Sequence, residues 1–289
     1  MSAIATVPER GAWARLGTNM RRHKMASLGA GLVIAVALSA IFAPWLSPHD
    51  PYEQDVLLRL AGPSSDFPLG NDDFGRDILS RILWGGRVSL VVGTSAVLLA
   101  IMIGGVLGML AGYIGGVFDR VVMGAMDVLL SFPALVMGLL VVAMLGPTVG
   151  NLILAITLTA IAPFARIARA PTLVVKERDF VEAGRALGFS NLRIMAVHIL
   201  PNIIDEILVM ASLWLATAIR TEASLSFIGL GVRPPTATWG GMIREGFENI
   251  LDSPWLALFP SLAILVIMLG LNMLGDGLRD ATDPRLRHE

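Results

Sequence analysis

From Val88 to Phe118 the chain carries no charged side chain. A helix rises 1.5 Å per residue, so about 20 apolar residues cross the roughly 30 Å hydrocarbon core of a bilayer. Reading the span in that stretch as 88–113, five further apolar runs match its length: about 27–45, 121–145, 152–170, 203–228 and 255–275. Turn-forming or charged residues separate them. Pro44 and Pro48 close the first, Gly146-Pro147-Thr148-Val149-Gly150 follows the third, and Asp252 and Asp276 bound the sixth. The backbone of a span must satisfy its own hydrogen bonds in lipid. The expected fold class is an all-α integral membrane protein with six transmembrane helices.

Composition points the same way. Of 289 residues 55% are hydrophobic and only 16% charged, against about 25% charged in an average soluble domain. The first run follows Arg21-Arg22-His23-Lys24, and Ala37-Leu38-Ser39 would pass as a cleavage site. Its length exceeds the roughly 7–15 residues of a signal-peptide core, so an uncleaved anchor is expected. Residues 1–24 then form a polar tail and 25–289 a single membrane domain.

Several chemistries are excluded. With no cysteine there are no disulfides, thiolate metal sites or thiol catalysis. Lys24 and Lys176 are the two lysines, and neither stands in a phosphate-binding G-x-x-x-x-G-K-[ST] loop, so the chain is not expected to hydrolyse ATP. His23, His49, His198 and His288 form no H-E-x-x-H pattern. The expectation is no catalytic residue, no metal and no cofactor in this chain. A net charge of −1 gives no basis for nucleic-acid binding.

Orientation follows from the basic residues, which favour the cytoplasmic side. Fifteen of the 22 lysines and arginines fall in the N-terminal tail, at Arg120, in the fourth-to-fifth loop and in the C-terminal tail. Six fall on the other side, diluted by acids. Both termini are therefore expected in the cytoplasm, with 47–87 and 229–254 outside.

Gly104, Gly108, Gly112 and Gly116 recur every four residues and so share one helix face. Close packing within the chain is the favoured explanation, a subunit contact or pathway lining the other. Charges inside spans are functional candidates, and Asp127, Arg220 and Glu222 are taken as pathway or gating candidates. Arg220 and Glu222 are two apart, so a helix points them to different sides.

Two loops carry further signals. Within Phe67–Leu83, Asn71, Asp72 and Asp73 offer a helix cap, and Asp77 and Arg81 have i,i+4 spacing. Phe74, Ile78, Leu79, Ile82 and Leu83 share a face, which suggests an amphipathic helix lying on the outer bilayer surface. A calcium loop would need a distal glutamate that is missing. In the segment 178–202, Asp179 and Glu182 have capping-box spacing. Gly188 can end that helix, Ser190 can cap the next, and Pro201 marks a turn into the fifth span. Helix, glycine bend and helix in a cytoplasmic loop suggest an ordered docking element.

Glu182-Ala183-Gly184, Gly188 and Ile199-Leu200-Pro201 resemble the EAA loop of ABC-importer permeases. The stretch Pro68–Asp77, the stretch Thr221–Val232 with Trp239-Gly240, Asp127–Pro133, and Gly275–Asp280 with Asp283-Pro284-Arg285 are similar to dipeptide/oligopeptide (peptide/nickel) permeases of the C type. The resemblance implies a type I importer permease fold in which Glu182, Ala183, Gly184, Leu187 and Gly188 couple to an ATPase. It also implies a B-type permease partner, two cytoplasmic ABC ATPases that bind ATP and Mg²⁺, and an extracytoplasmic substrate-binding protein. Peptides are the implied substrate, with nickel, glutathione or another small solute as alternatives. A stand-alone carrier is less favoured, because organised polar groups on broken helices are lacking.

Overall fold

A computed structural model describes residues 24–282. Most of the N-terminal tail and the Asp283-Pro284-Arg285 stretch lie outside the described residues. Among those described, every extended regular element is helical.

The first helix, α1 (Lys24–Ile41), ends in a single turn, Ala43–Leu46, with Pro44 in its opening positions. The next, α2 (Ile78–Ile114), continues through one π turn at Ile101–Gly105. Asp77 caps it, accepting from the Ser80 N–H at 2.9 Å and the Ser80 hydroxyl at 2.6 Å. This corrects the surface-helix expectation for the 74–83 region. The amphipathic segment is the first two turns of the second span, with Ile78 and Arg81 buried. Its polar side faces other parts of the protein, so the apolar periodicity of a surface helix was misleading there.

After Gly115 and Gly116 come α3 (Gly116–Ser131) and α4 (Ala134–Leu145), whose axes differ by 88°. The expected single span over 121–145 is thus a bent pair. Pro133 explains the break. It forces Phe132 into an extended conformation (φ −89°, ψ 128°) and cannot donate to the helix before it. Among the described residues, five helices are long and apolar enough to cross a membrane, or six if the bent pair counts as one span.

Asn151 donates its amide to the carbonyls of Leu145 and Gly146, and Thr148 caps α5 (Val149–Val175). The short α6 (Asp179–Ala186) leads into α7 (Asn191–Phe227). Pro201 makes no turn there. A π segment over Ile194–Ile199 precedes it, and the His198 carbonyl accepts from the Asn202 side chain at 2.7 Å. The widened turn accommodates a ring that lacks an N–H, so the helix runs on. Finally α8 (Trp239–Glu248), capped by Thr238, packs on α9 (Trp255–Thr282).

The core lies where α2, α5 and α7 meet. Val92, Ala96, Ala100, Ala155, Ala160, Ala165, Ala168 and Ala218 are buried there around Phe164 and Ile203. So many alanines let backbones approach, which is how helices gain packing energy where lipid is as apolar as the protein. The glycine stripe serves the same contact. A Cβ on Gly104 or Gly108 would collide with the carbonyl oxygens of Ile161 and Ala165 on α5. The intrachain explanation holds for these two residues.

Candidate functional site

Consider first the end of the bundle where α5 passes into α7. Lys176 follows α5 and donates Nζ to the Gly112 carbonyl at 2.8 Å, capping the last turn of α2. Arg178, not Asp179, is the N-cap of α6, and it contributes no side-chain bond. The capping-box expectation is corrected by one residue. The Arg178 carbonyl already accepts from the N–H groups of Val181 and Glu182, so Asp179 has entered the helix. Asp179 and Glu182 then act as first-turn acids facing the positive end of the helix dipole.

The other end of α6 is closed by Gly188 at φ +77°. Its N–H reaches the Arg185 carbonyl and the Phe189 N–H reaches the Gly184 carbonyl, both at 3.0 Å. That is the hydrogen-bond pattern of a Schellman end, which needs a left-handed residue. Ser190 caps α7 by accepting from the Arg193 N–H at 3.3 Å. Phe189 stacks on His198 at 5.8 Å and carries the Arg193 guanidinium 4.1 Å from its ring centre. The Tyr113 hydroxyl, at the end of α2, donates to Asn191 Oδ1 at 2.8 Å.

The result is a hairpin tied to the bundle at two points. Glu182, Ala183, Leu187 and Gly188 are exposed on it, Leu187 to 74%. Gly184 is buried, and a methyl there would stand 3.2 Å from the Phe189 ring.

The three charged candidates in the spans go to different places. Asp127 on α3 pairs with Arg166 on α5, both more than half exposed. Nearby, Asp119 holds Arg169 through two bonds. Glu222 on α7 is buried and accepts from Ser89 at 2.9 Å and Ser226 at 2.7 Å. It fastens α7 to α2. Arg220 points the other way and is exposed.

A second cluster, at the opposite end of the bundle, escaped the sequence reading. Asp72 accepts from Arg76 Nε at 2.6 Å and lies 3.1 Å from Arg81 Nε. Both guanidinium groups also reach Glu245 on α8, at 3.2 and 3.3 Å. Arg81 thus bypasses Asp77, its expected i,i+4 partner, which is occupied in capping α2. Burial pushes the Asp73 carboxyl above its ordinary value, with the Asp72 charge adding to the effect. Burial pushes Glu245 up as well, against the pull of Arg81 and Arg76. Carboxylate atoms of Asp72, Asp73 and Glu245 lie within 4.8 Å of one another. The two arginines supply their counter-charge, which makes the cluster an ion-pair lock between the start of α2 and α8.

Long apolar helices, a capped hairpin on one face and an ionic lock at the other describe a multi-pass membrane protein. Residues 104–288 match the family described as binding-protein-dependent transport system inner membrane component. Residues 11–63 match the N-terminal TM domain of oligopeptide transport permease C. The dipeptide transport system permease protein DppC of Alkalihalophilus pseudofirmus is 40% identical over 275 residues, 95% of this chain and 90% of that one. The glutathione transport system permease protein GsiD of Pectobacterium atrosepticum is 42% identical over 281 residues, 97% of this chain and 92% of the relative. Among solved structures, an inward-facing MetNI methionine ABC transporter chain superposes with a TM-score of 0.57 at 17% identity, covering 71% of this chain and 98% of that one. That likeness shows a shared fold, the type I importer permease fold. The chain belongs to the family of binding-protein-dependent transport system inner membrane components, and it is a permease subunit of an ABC importer.

Proposed function

We propose that this chain is the C-type permease subunit of an ATP-driven importer of short peptides. The observation that carries the reading is the identity to relatives named for dipeptide and glutathione transport, which extends over at least 90% of both chains. Both named solutes are short peptides. The hairpin face is cytoplasmic in this reading, which the bias of lysines and arginines supports.

Glu182, Ala183, Leu187 and Gly188 form the surface set against one of two ABC ATPases, while Gly184 seats the helix on Phe189. ATP and Mg²⁺ belong to those subunits, and this chain supplies no catalytic group. A homologous B-type permease completes the pathway, and an extracytoplasmic binding protein delivers the solute. Closure of the ATPases displaces α6. Lys176 and Tyr113 carry the displacement into α2, and the unbroken α7 carries it to Arg220 and Glu222. The spans then alternate between inward-open and outward-open states.

The test is reconstitution of the chain with its partner subunits and binding protein in liposomes. ATP-dependent uptake of a labelled dipeptide is expected. Uptake that persists without the ATPases would show a stand-alone carrier instead. Topology is checked in vesicles stripped of the ATPases with Ser64→Cys and Ala183→Cys, both exposed positions in a cysteine-free chain. An impermeant reagent outside should label the first and spare the second.

A further inference from the structure

Among the described residues, Arg81, Arg166 and Arg169 each hold a carboxylate of this chain. Arg220 holds none, although it sits on the same kind of apolar helix. It lies seven residues before the end of α7, roughly 10 Å inside that end at 1.5 Å per residue. A guanidinium at that depth is costly in lipid and is retained where it meets water, a ligand or another chain.

Its surroundings form a shallow, open recess. A cavity of about 270 Å³ is lined by Arg220, Ser224 and Phe227 on α7, Leu135 on α4, Ile243 on α8 and Ile264 on α9. Arg220, Ala223, Ser224 and Phe227 follow i, i+3, i+4, i+7 spacing, so one face of α7 floors the recess. The acid nearby in sequence, Glu222, is turned away and satisfied by two serines. The recess therefore presents a single positive fork with apolar walls. A planar guanidinium matches a carboxylate through two parallel bonds.

We propose that Arg220 and this recess bind the carboxylate end of the transported solute. The inference rests on the peptide reading above. The volume lies just under the roughly 300–1,000 Å³ typical of whole-ligand pockets, so the recess takes one end of the solute and leaves the remainder in the pathway. A free carboxylate is a chemical feature that dipeptides and glutathione share, so the site does not depend on which of them is carried.

The experiment uses the complete transporter in liposomes, with one binding protein throughout. Uptake of a dipeptide and of its C-terminal amide is compared for wild type, Arg220→Gln and Arg220→Lys. Selectivity imposed by the binding protein cancels in the wild-type-to-variant ratio. Arg220→Gln should lower kcat/KM for the free acid about 10- to 100-fold, the range expected for one lost charge-assisted bond. It should leave the amide within about twofold, and Arg220→Lys should recover part of the loss. If Arg220→Gln lowers acid and amide equally, the residue is structural or pairs with the second permease. If it changes neither, the guanidinium faces lipid headgroups. Either result overturns the inference alone. Wild type that moves neither peptide overturns the peptide reading first, and this site with it.

Discussion

Replacing Gly188 by valine tests whether the hairpin is a lever or a mere connector. No atom lies within 4 Å of a Cβ built at this position, so the substitution meets no steric obstacle. Its whole effect comes from the backbone, which sits at φ +77°. Holding an L-residue in that left-handed region costs roughly 1–2 kcal/mol. If the turn opens instead, the two hydrogen bonds that close α6 are lost, each contributing about 0.5–1.5 kcal/mol net. Both routes give a similar figure, which shifts the ratio of formed to unformed hairpin about 5- to 30-fold. Only Val181 and Gly184 of α6 are buried, so this segment has little other stabilisation to absorb the change. The helical bundle makes no use of Gly188, and expression and membrane insertion should stay normal. The opened fraction of the hairpin, read by hydrogen exchange of the Phe189 amide, should rise by about the same 5- to 30-fold ratio, and ATP-driven uptake at equal expression should fall with the formed fraction. The control is Gly188→Asn, because asparagine tolerates the left-handed region, and it should keep uptake within about twofold. If valine and asparagine behave alike, or if valine leaves uptake unchanged, the reasoning from backbone geometry is wrong.

Other expectations concern the body of the protein. Arg76→Ala removes the closest counter-charge of Asp72, leaves it Arg81, and should destabilise the solubilised protein by about 1.5–3 kcal/mol, read as a drop in the thermal midpoint. Glu245 has its pKa raised in the folded state above the ordinary 4.5, so the folded protein binds the proton more tightly than the unfolded chain. The stabilisation linked to that proton is full below pH 4.5 and is lost as pH rises through the folded value. The midpoint difference between wild type and Glu245→Gln should therefore move against wild type as pH rises above about 4.5, and a pH-independent difference would refute the assignment. Gly108→Leu should cost at least the roughly 1–3 kcal/mol of an overpacked core. Gly124→Leu, at a site with nothing within 4 Å, should melt like wild type.

Local chemistry was legible in the sequence, and distant pairing was not. Gly188 and Ser190 act within a few residues of themselves, so their roles could be read from order along the chain. The apolar runs were legible because lipid imposes one requirement on every residue of a span. The partner of Arg81 was misread because Asp77 is near in sequence, whereas Glu245 is 164 positions away. Asp77 was already engaged at a helix end, a competing use that i,i+4 spacing does not reveal. Pro133 and Pro201 show a related difficulty. Both are prolines beside long apolar runs. The first breaks its helix by 88° and the second sits in a continuous one. What separates them is the π turn before Pro201 and the Asn202 side chain bonded to the His198 carbonyl, neither of which has a simple pattern.

The seam between α2 and α5 carries a consequence for how such a protein can change shape. Sliding between packed helices works by side chains moving from one notch to the next. At Gly104 and Gly108 there are no side chains to do so, and the facing atoms are backbone carbonyls. The close backbone contact ties the two helices together at these two positions. The same geometry divides the tolerance of α2 to replacement. Met102 and Val106, on its outer side, are 66% and 48% exposed and need only remain oily. A few ångströms away, on the inner side, the addition of one methyl group is forbidden.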